Sequence, residues 1–170
     1  TVKKNLVLLG MMGVGKSTLG KIVAKKQGLI FIDTDLNIEK KHSMKISEIF
    51  EKKGEDFFRL QEEKEVLGSL KKKECVIALG GGAFMKKTVR DRILKDTVSI
   101  WLDINLKTLN KRIKWNNKRP LINRENSQKK INELYAKRKN IYKLAKYRIN
   151  CNNLSKENIA KKIIIFYEKQ

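Results

Sequence analysis

Short apolar runs alternate along the chain with longer stretches in which apolar residues recur every three or four positions. The stretches are typical of helices, such as one over 16–27 that Gly28 ends and one that runs from Asn105, as an N-cap, into Lys114. The short runs are typical of buried strands and lie at 6–9, 29–32, 76–79, 98–102 and, more weakly, 147–149. The alternation predicts an α/β fold in three layers, with a five-stranded parallel sheet flanked by helices.

Two segments interrupt this alternation. Ser47 can cap a short helix that follows Ile46, and Gly54 separates this helix from a second one over 57–70. Further along, residues 115–128 are polar, contain the single proline and lie between two helical patterns. We expect one domain over residues 1–170, with a helical segment at about 34–62, a mobile lid at about 113–127 and a closing amphipathic helix over 155–167.

A phosphate-binding motif follows the first predicted strand. Residues 10–18 read Gly-Met-Met-Gly-Val-Gly-Lys-Ser-Thr and match G-x-x-x-x-G-K-[ST] between a strand and a helix. Glycines let backbone N–H groups point at phosphate oxygens, and the following helix N-terminus assists them. Lys16 would then reach the β- and γ-phosphates, while the Ser17 hydroxyl would ligate a bridging Mg²⁺. The motif predicts a P-loop fold that contacts a nucleotide through Gly13, Val14, Gly15, Lys16, Ser17 and Thr18. By itself it does not separate a kinase from a GTPase, an ATPase or a motor.

Two carboxylates follow the second predicted strand, at the sheet edge where ligands bind in open α/β folds. Asp33 could hold the metal through water. Asp35 would point the same way as Asp33, because side chains alternate along a strand. It could therefore orient or deprotonate an acceptor hydroxyl, or it could simply cap a helix.

Charged and glycine residues complete a candidate acceptor site. Arg59 and Glu62 lie three apart on one helical face, where the glutamate could orient the guanidinium; an ordinary surface ion pair is the alternative. After the third strand, Gly80, Gly81 and Gly82 leave a strand end without side chains, so that backbone N–H groups could approach a ligand closely.

Taken in order, these motifs resemble the shikimate kinase family over nearly the whole chain. The likeness continues in Arg119-Pro120-Leu121, where that family has its lid arginine, and in Arg138 with Tyr142, which match its R-x-x-x-Y element. The resemblance implies transfer of a phosphoryl group from ATP, with Mg²⁺, to the shikimate 3-hydroxyl. The products would be shikimate 3-phosphate and ADP, on the route to chorismate and the aromatic amino acids.

The resemblance also implies roles on the acceptor side. Arg59 and Arg138 would grip the shikimate carboxylate, which suits the bidentate geometry of a guanidinium. Asp35 would bind shikimate hydroxyls together with the three glycines, and Phe58 would pack against the ring.

On the donor side, the resemblance implies that Arg119 swings in with the lid to neutralise the transferring phosphoryl group. Lys16, Asp35 and Arg119 would thus be the catalytic residues. Arg112 would lie against the adenine. Trp115 and the asparagines after it match no feature of the family's pattern, and they could alter lid closure or nucleotide affinity.

The charge of the chain raises one competing interpretation. Lys and Arg number 40 against 18 Asp and Glu, a formal net charge of +22, which is typical of nucleic-acid binding. The excess is spread from Lys3 to Lys169, however, and the sequence shows no aromatic stacking platform, zinc finger or helix-turn-helix. We therefore expect ATP and shikimate as partners, with no specific nucleic acid and no membrane.

Cysteine usage and hydropathy point to a soluble, cytoplasmic protein, and we expect a monomer rather than an oligomer. Cys75 and Cys151 are far apart and suggest neither a disulfide framework nor a zinc site. The apolar run after Lys3-Lys4 resembles part of a signal peptide but leads into Gly-Lys-Ser-Thr. No stretch approaches the roughly 18 apolar residues that span a bilayer.

Four further functions stay open. A related metabolite kinase, such as one acting on gluconate, would share the P-loop, although Arg59, Arg138 and the glycines argue against it. Adenylate kinase would need a second nucleotide pocket, for which we find no convincing motif. Outside this enzyme class, the chain could be a nucleotide-dependent nucleic-acid binder or a scaffold that only binds nucleotide.

Overall fold

A parallel sheet forms the centre of this computed structural model, which describes residues 1–114 and 127–170. Five strands pair in the order β2-β3-β1-β4-β5. Their bounds are β1 (Asn5–Leu9), β2 (Ile30–Asp33), β3 (Cys75–Ala78), β4 (Thr97–Asp103) and β5 (Tyr147–Asn150). The helices that flank them are α1 (Lys16–Gln27), α2 (Thr34–His42), α3 (Ile46–Lys53), α4 (Glu55–Leu70), α5 (Lys87–Asp96), α6 (Leu106–Lys114), α7 (Ser127–Tyr142) and α8 (Lys156–Glu168). The predicted α/β fold is confirmed.

Burial along the strands follows their position in the sheet. Every residue of β1, β3 and β4 is buried, because helices cover both faces of the sheet centre. The outer strands β2 and β5 are only partly buried, and Ile30 is exposed at the sheet edge. This explains why β5 has the weakest apolar pattern of the five.

Side-chain caps begin two of the predicted helices, and the one at Asn105 was itself predicted. The backbone N–H of Thr108 donates to the Asn105 side-chain oxygen at 2.9 Å, and α6 begins at the next residue after that cap. The hydroxyl of Ser155 likewise accepts from the N–H of Asn158 at 3.1 Å at the start of α8. Short polar side chains at these positions satisfy helix N–H groups that have no partner within the helix.

The predicted cap of α3 is wrong. The helix begins at Ile46, one residue before Ser47, and its N-cap residue Lys45 makes no side-chain capping bond. Instead, the Glu39 carboxylate on α2 accepts from the N–H of Ile46 at 2.9 Å. A cap supplied from another helix depends on tertiary packing, so no local pattern could indicate it.

The helices α2, α3 and α4 pack around a small core of their own. Ile38, Ile49 and Phe58 are buried in it, with Phe50 and Phe57 packed against them. Gly54 turns the chain between α3 and α4 at φ 87, in the region that glycine adopts most readily. This subcore holds one wall of the site against the end of the sheet.

The expected lid lies almost wholly outside the described residues. Both Trp115 and Arg119 fall there, whereas α6 continues to Lys114 and α7 begins at Ser127 on either side. Among the helices that the structure describes, none is both long and apolar enough to cross a bilayer.

Candidate active site

The phosphate-binding motif forms a loop between β1 and α1. Gly13 and Gly15 have φ angles of 81 and 101, which glycine adopts without strain. A Cβ atom on Gly10 would lie 2.5 Å from the Leu102 carbonyl oxygen, so the loop starts in direct contact with β4. The Lys16 ammonium is buried inside the loop and donates to the carbonyls of residues 10 and 11 at 2.7 and 2.9 Å. These angles and contacts give the loop the cradle shape that the motif predicts.

Ser17 and Asp33 are joined across the ends of β1 and β2. The Ser17 hydroxyl donates to Oδ2 of Asp33 at 2.5 Å, while Oδ1 of Asp33 accepts from the N–H of Leu36 and caps α2. Because the hydroxyl proton points to Asp33, the lone pairs of Ser17 remain available to a cation.

This oxygen pair fits a Mg²⁺ ion that travels with a nucleotide. Mg²⁺ keeps several waters and takes one or two protein oxygens beside phosphate oxygens, so it needs no cage of protein ligands. Residues 1–114 and 127–170 hold no cluster of three His, Cys, Asp or Glu side chains that could bind a metal.

Asp35 lines the cavity from a helix, whereas the sequence analysis placed it at the end of a strand. The strand β2 ends at Asp33 and α2 begins at Thr34, so Asp35 lies in the first helical turn. The two-residue period of a strand therefore does not apply to it, and the capping carboxylate is Asp33. The side chain nonetheless lines the same cavity as Asp33.

The first of the three glycines makes room for two carboxylates. A Cβ atom on Gly80 would lie 2.6 Å from an oxygen of Asp35 and 2.9 Å from an oxygen of Glu62. Neither carboxylate could keep its place beside a larger residue, because real Cβ atoms essentially never approach so closely.

The next two glycines make room for the two arginines. A Cβ atom on Gly81 would lie 2.9 Å from Nη1 of Arg138, and one on Gly82 would lie 2.6 Å from Nη1 of Arg59. The glycine turn thus lets charged side chains approach the strand end from three helices. The sequence pattern predicted close approach by a ligand and missed this packing role.

Arg59 and Glu62 form a half-buried ion pair with a buried carboxylate, not an ordinary surface pair. Their Nη1 and Oε1 atoms are 2.7 Å apart, and Glu62 is only 3% exposed. The guanidinium also lies 5.3 Å from the ring centroid of Phe58, which lines the cavity. Glu62 therefore holds Arg59 against the cavity wall, and Glu55 adds a second carboxylate at 3.6 Å.

We expect Glu62→Gln to remove a pH dependence of stability. Burial raises the pKa of Glu62 above its ordinary value of 4.5, although the charge of Arg59 opposes the shift. The folded protein therefore holds the Glu62 proton more tightly than the unfolded chain does. The stability that this protonation contributes is complete below pH 4.5 and is lost as pH rises through the pKa of Glu62 in the folded protein. Urea unfolding over a pH series should show wild type losing stability relative to Glu62→Gln in that window. Parallel curves for the two proteins would contradict this.

Arg138 lies on α7 and lines the same cavity as Arg59. Its side chain is 5% exposed, and its Nη1 is buried without a hydrogen-bond partner among the described residues. A buried cationic nitrogen needs an anion or acceptor to offset its lost hydration. The guanidinium faces the cavity, so that acceptor would come from a bound molecule.

One cavity of about 560 Å³ is lined by all the predicted acceptor residues and by the predicted nucleotide residues of the phosphate loop except Val14, which is buried in the core. Its walls also include residues of α2, α3 and the turn between them that the sequence analysis did not propose as site residues, namely Leu36, Glu39, Lys45, Ile46, Ser47 and Phe50. The amphipathic pattern of α3 was the available signal for this wall.

Arg112 lies outside that cavity, at the end of α6. Its Nη1 donates to the carbonyls of Gly13 and Val14 at 3.2 and 3.4 Å. Ile113 packs beside it, close to Gly13. These contacts bring Arg112 to the rim of the phosphate loop.

This fold and this site define a P-loop phosphotransferase with a cationic pocket for a small anionic acceptor. A sequence model described as shikimate kinase matches residues 12–168. The chain belongs to the shikimate kinase family.

Individual relatives agree with this assignment. The shikimate kinases of Thermodesulfovibrio yellowstonii and a Sulfurihydrogenibium species are 43% and 39% identical to this chain. The matches cover 98% and 95% of this chain and 96% of each relative. The structure of shikimate kinase from Acinetobacter baumannii in complex with shikimate superposes with a TM-score of 0.94 at 32% identity, covering 98% of this chain and 94% of that one.

Proposed function

We propose that this chain transfers the γ-phosphoryl group of ATP to the 3-hydroxyl of shikimate, giving shikimate 3-phosphate and ADP on the route to chorismate. The observation that carries the proposal is the pair of guanidinium groups, Arg59 and Arg138, facing the same cavity as the P-loop. A planar carboxylate distinguishes shikimate from a neutral sugar, and arginine forks bind such a group in bidentate fashion.

On the acceptor side, Arg59 and Arg138 hold the carboxylate. Asp35 binds ring hydroxyls next to the turn formed by Gly80, Gly81 and Gly82, and the face of Phe58 packs against the ring. The half-buried pair with Glu62 supports this arrangement, because it keeps Arg59 from turning into solvent.

On the donor side, the P-loop N–H groups and Lys16 hold the β- and γ-phosphates. When bound, Mg²⁺ would offset the negative charge of the nucleotide and lower the cost of spreading that charge in the transition state. Ser17 would hold it directly and Asp33 through water, an assignment that their 2.5 Å hydrogen bond supports. Arg112 would contact the adenine from the rim of the loop.

Catalysis is then mainly a matter of position and charge. Asp35 aligns the 3-hydroxyl with the phosphorus and orients or accepts its proton. Lys16 stabilises the charge that develops on the transferring group, with no covalent enzyme intermediate. Arg119, from the predicted lid, would add a second cation. The proposed enzyme is a single domain that acts as a monomer in the cytoplasm.

An ADP-release assay with MgATP tests the acceptor directly. We expect turnover with shikimate, while gluconate and AMP give no more ADP than a reaction without acceptor. Turnover only with another acceptor would keep the P-loop kinase class and reject the acceptor assignments. Tight, strongly salt-dependent binding of DNA or RNA would favour a nucleic-acid function instead.

A further inference from the structure

Tyr142 connects three parts of the site from behind the cavity wall. It is fully buried at the end of α7, and its hydroxyl donates a hydrogen bond to the Gly81 carbonyl. The hydroxyl also lies 3.9 Å from the sulfur of Met11 in the phosphate loop. The ring packs against Trp101 of β4, with centroids 5.8 Å apart. One side chain therefore contacts the glycine turn, the phosphate loop and the sheet.

Gly81, whose carbonyl accepts this hydrogen bond, lies close to both Arg138 and the phosphate loop. A Cβ atom on Gly81 would be 2.9 Å from Nη1 of Arg138 and 3.5 Å from the backbone nitrogen of Met12. Arg138 precedes Tyr142 by four residues, so both side chains project from the same face of α7. The bond to Gly81 thus ties the glycine turn to the helix that carries Arg138.

The hydrogen bond also sets the direction of a peptide group. Gly81 has no side chain to limit its backbone rotation, so an outside contact must do so. Because the peptide between residues 81 and 82 is planar and trans, fixing its carbonyl also fixes the Gly82 N–H on the opposite side. Burial raises the pKa of Tyr142 to about 12, so the hydroxyl stays a donor well above neutral pH.

We propose that Tyr142 is a positioning residue for the acceptor, whose hydroxyl holds the glycine turn and Arg138 in the arrangement that binds shikimate. The proposal rests on the function proposed above. Tyr142 would act only through these two groups, because its own side chain lies outside the cavity lining.

The test compares two tyrosines of α7. Tyr142→Phe keeps the buried ring and removes the hydroxyl, and we expect the KM for shikimate to rise about tenfold, the effect of losing one hydrogen bond. The kcat and the KM for ATP should stay within about twofold of wild type, since the donor site is unchanged. Tyr135→Phe is the matched control, because it removes a hydroxyl that donates to Asp103 at 3.1 Å. It should leave the KM for shikimate unchanged even if thermal stability falls.

Two results would overturn the proposal. One is an unchanged KM for shikimate in Tyr142→Phe while wild type turns over normally, which would leave the proposed function intact. The other is an equal rise in the KM values of ATP and shikimate that Tyr135→Phe reproduces. Failure of wild type to use shikimate would instead overturn the proposed function and this role with it.

A second measurement needs no variant. The buried hydroxyl proton of Tyr142 should give a slowly exchanging NMR resonance in the wild-type protein. We expect this resonance to shift when shikimate is added, because the acceptor contacts the turn that the hydroxyl holds. A resonance that stays in place at saturating shikimate would overturn the proposal even if Tyr142→Phe fails to fold.

Discussion

Lys16→Met should lower kcat with shikimate by about a thousandfold, because it removes a buried cation from the position where phosphoryl charge develops. The ammonium lies inside the phosphate loop, at 2.7 and 2.9 Å from two of its carbonyl oxygens. Methionine has a similar length and fills the same space without charge. The KM for shikimate should change little, since the acceptor contacts come from α4, α7 and the glycine turn.

The control for this variant is Lys25→Met. It removes the same charge from the same helix, but at an exposed position in the last turn of α1. Its kcat should stay within about twofold of wild type. A comparable loss of activity in both variants would mean that overall charge, not the site of Lys16, controls turnover. Initial rates at saturating MgATP and thermal melts of all three proteins make the comparison.

The parts of the fold predicted correctly are those that local chemistry determines. The glycine pattern around Lys16 indicates the loop because few other residues adopt the angles that Gly13 and Gly15 have. Asn105 and Ser155 indicate helix starts because their own oxygens accept the free N–H groups. In these cases the sequence pattern and the structural cause lie within a few residues.

The parts missed depend on contacts between distant segments. The spacing of Arg59 and Glu62 could not distinguish an exposed pair from one with a buried carboxylate, because Glu62 and Arg59 lie against the distant glycines 80 and 82. The cap of α3 comes from Glu39 on another helix, and no pattern near Ser47 indicates it. The same limit applies to the glycine turn, whose charged neighbours are up to 57 positions away in the case of Arg138 and Gly81.

Gly82→Ala should raise the KM for shikimate about a hundredfold, because the proposed carboxylate contacts of Arg59 are charged hydrogen bonds worth about 3 kcal/mol together. The new methyl group would lie 2.6, 2.7 and 2.8 Å from Nη1, Nη2 and Cζ of Arg59. The whole guanidinium must therefore move away, and it would leave Glu62 as it does so. The backbone of Gly82, with φ −100 and ψ −5, suits alanine, so the effect comes from the side chain.

The fold should tolerate this change. Arg59 is a flexible side chain with 28% of its surface exposed, so it can turn toward solvent, and Glu62 can take up a proton when its partner leaves. We expect the free energy of unfolding to fall by about 1 kcal/mol, the usual size of a single-residue effect. The damage should therefore be to acceptor binding and not to folding.

Gly68→Ala provides the matched control on α4. The same methyl group there meets nothing within 4 Å, and alanine stabilises a helix interior relative to glycine by about 1 kcal/mol. Gly68→Ala should therefore melt at a slightly higher temperature with an unchanged KM for shikimate. Isothermal titration of shikimate and urea unfolding of both variants separate binding from stability. If Gly82→Ala bound shikimate as wild type does, Arg59 could not be the carboxylate ligand in the position that the structure shows.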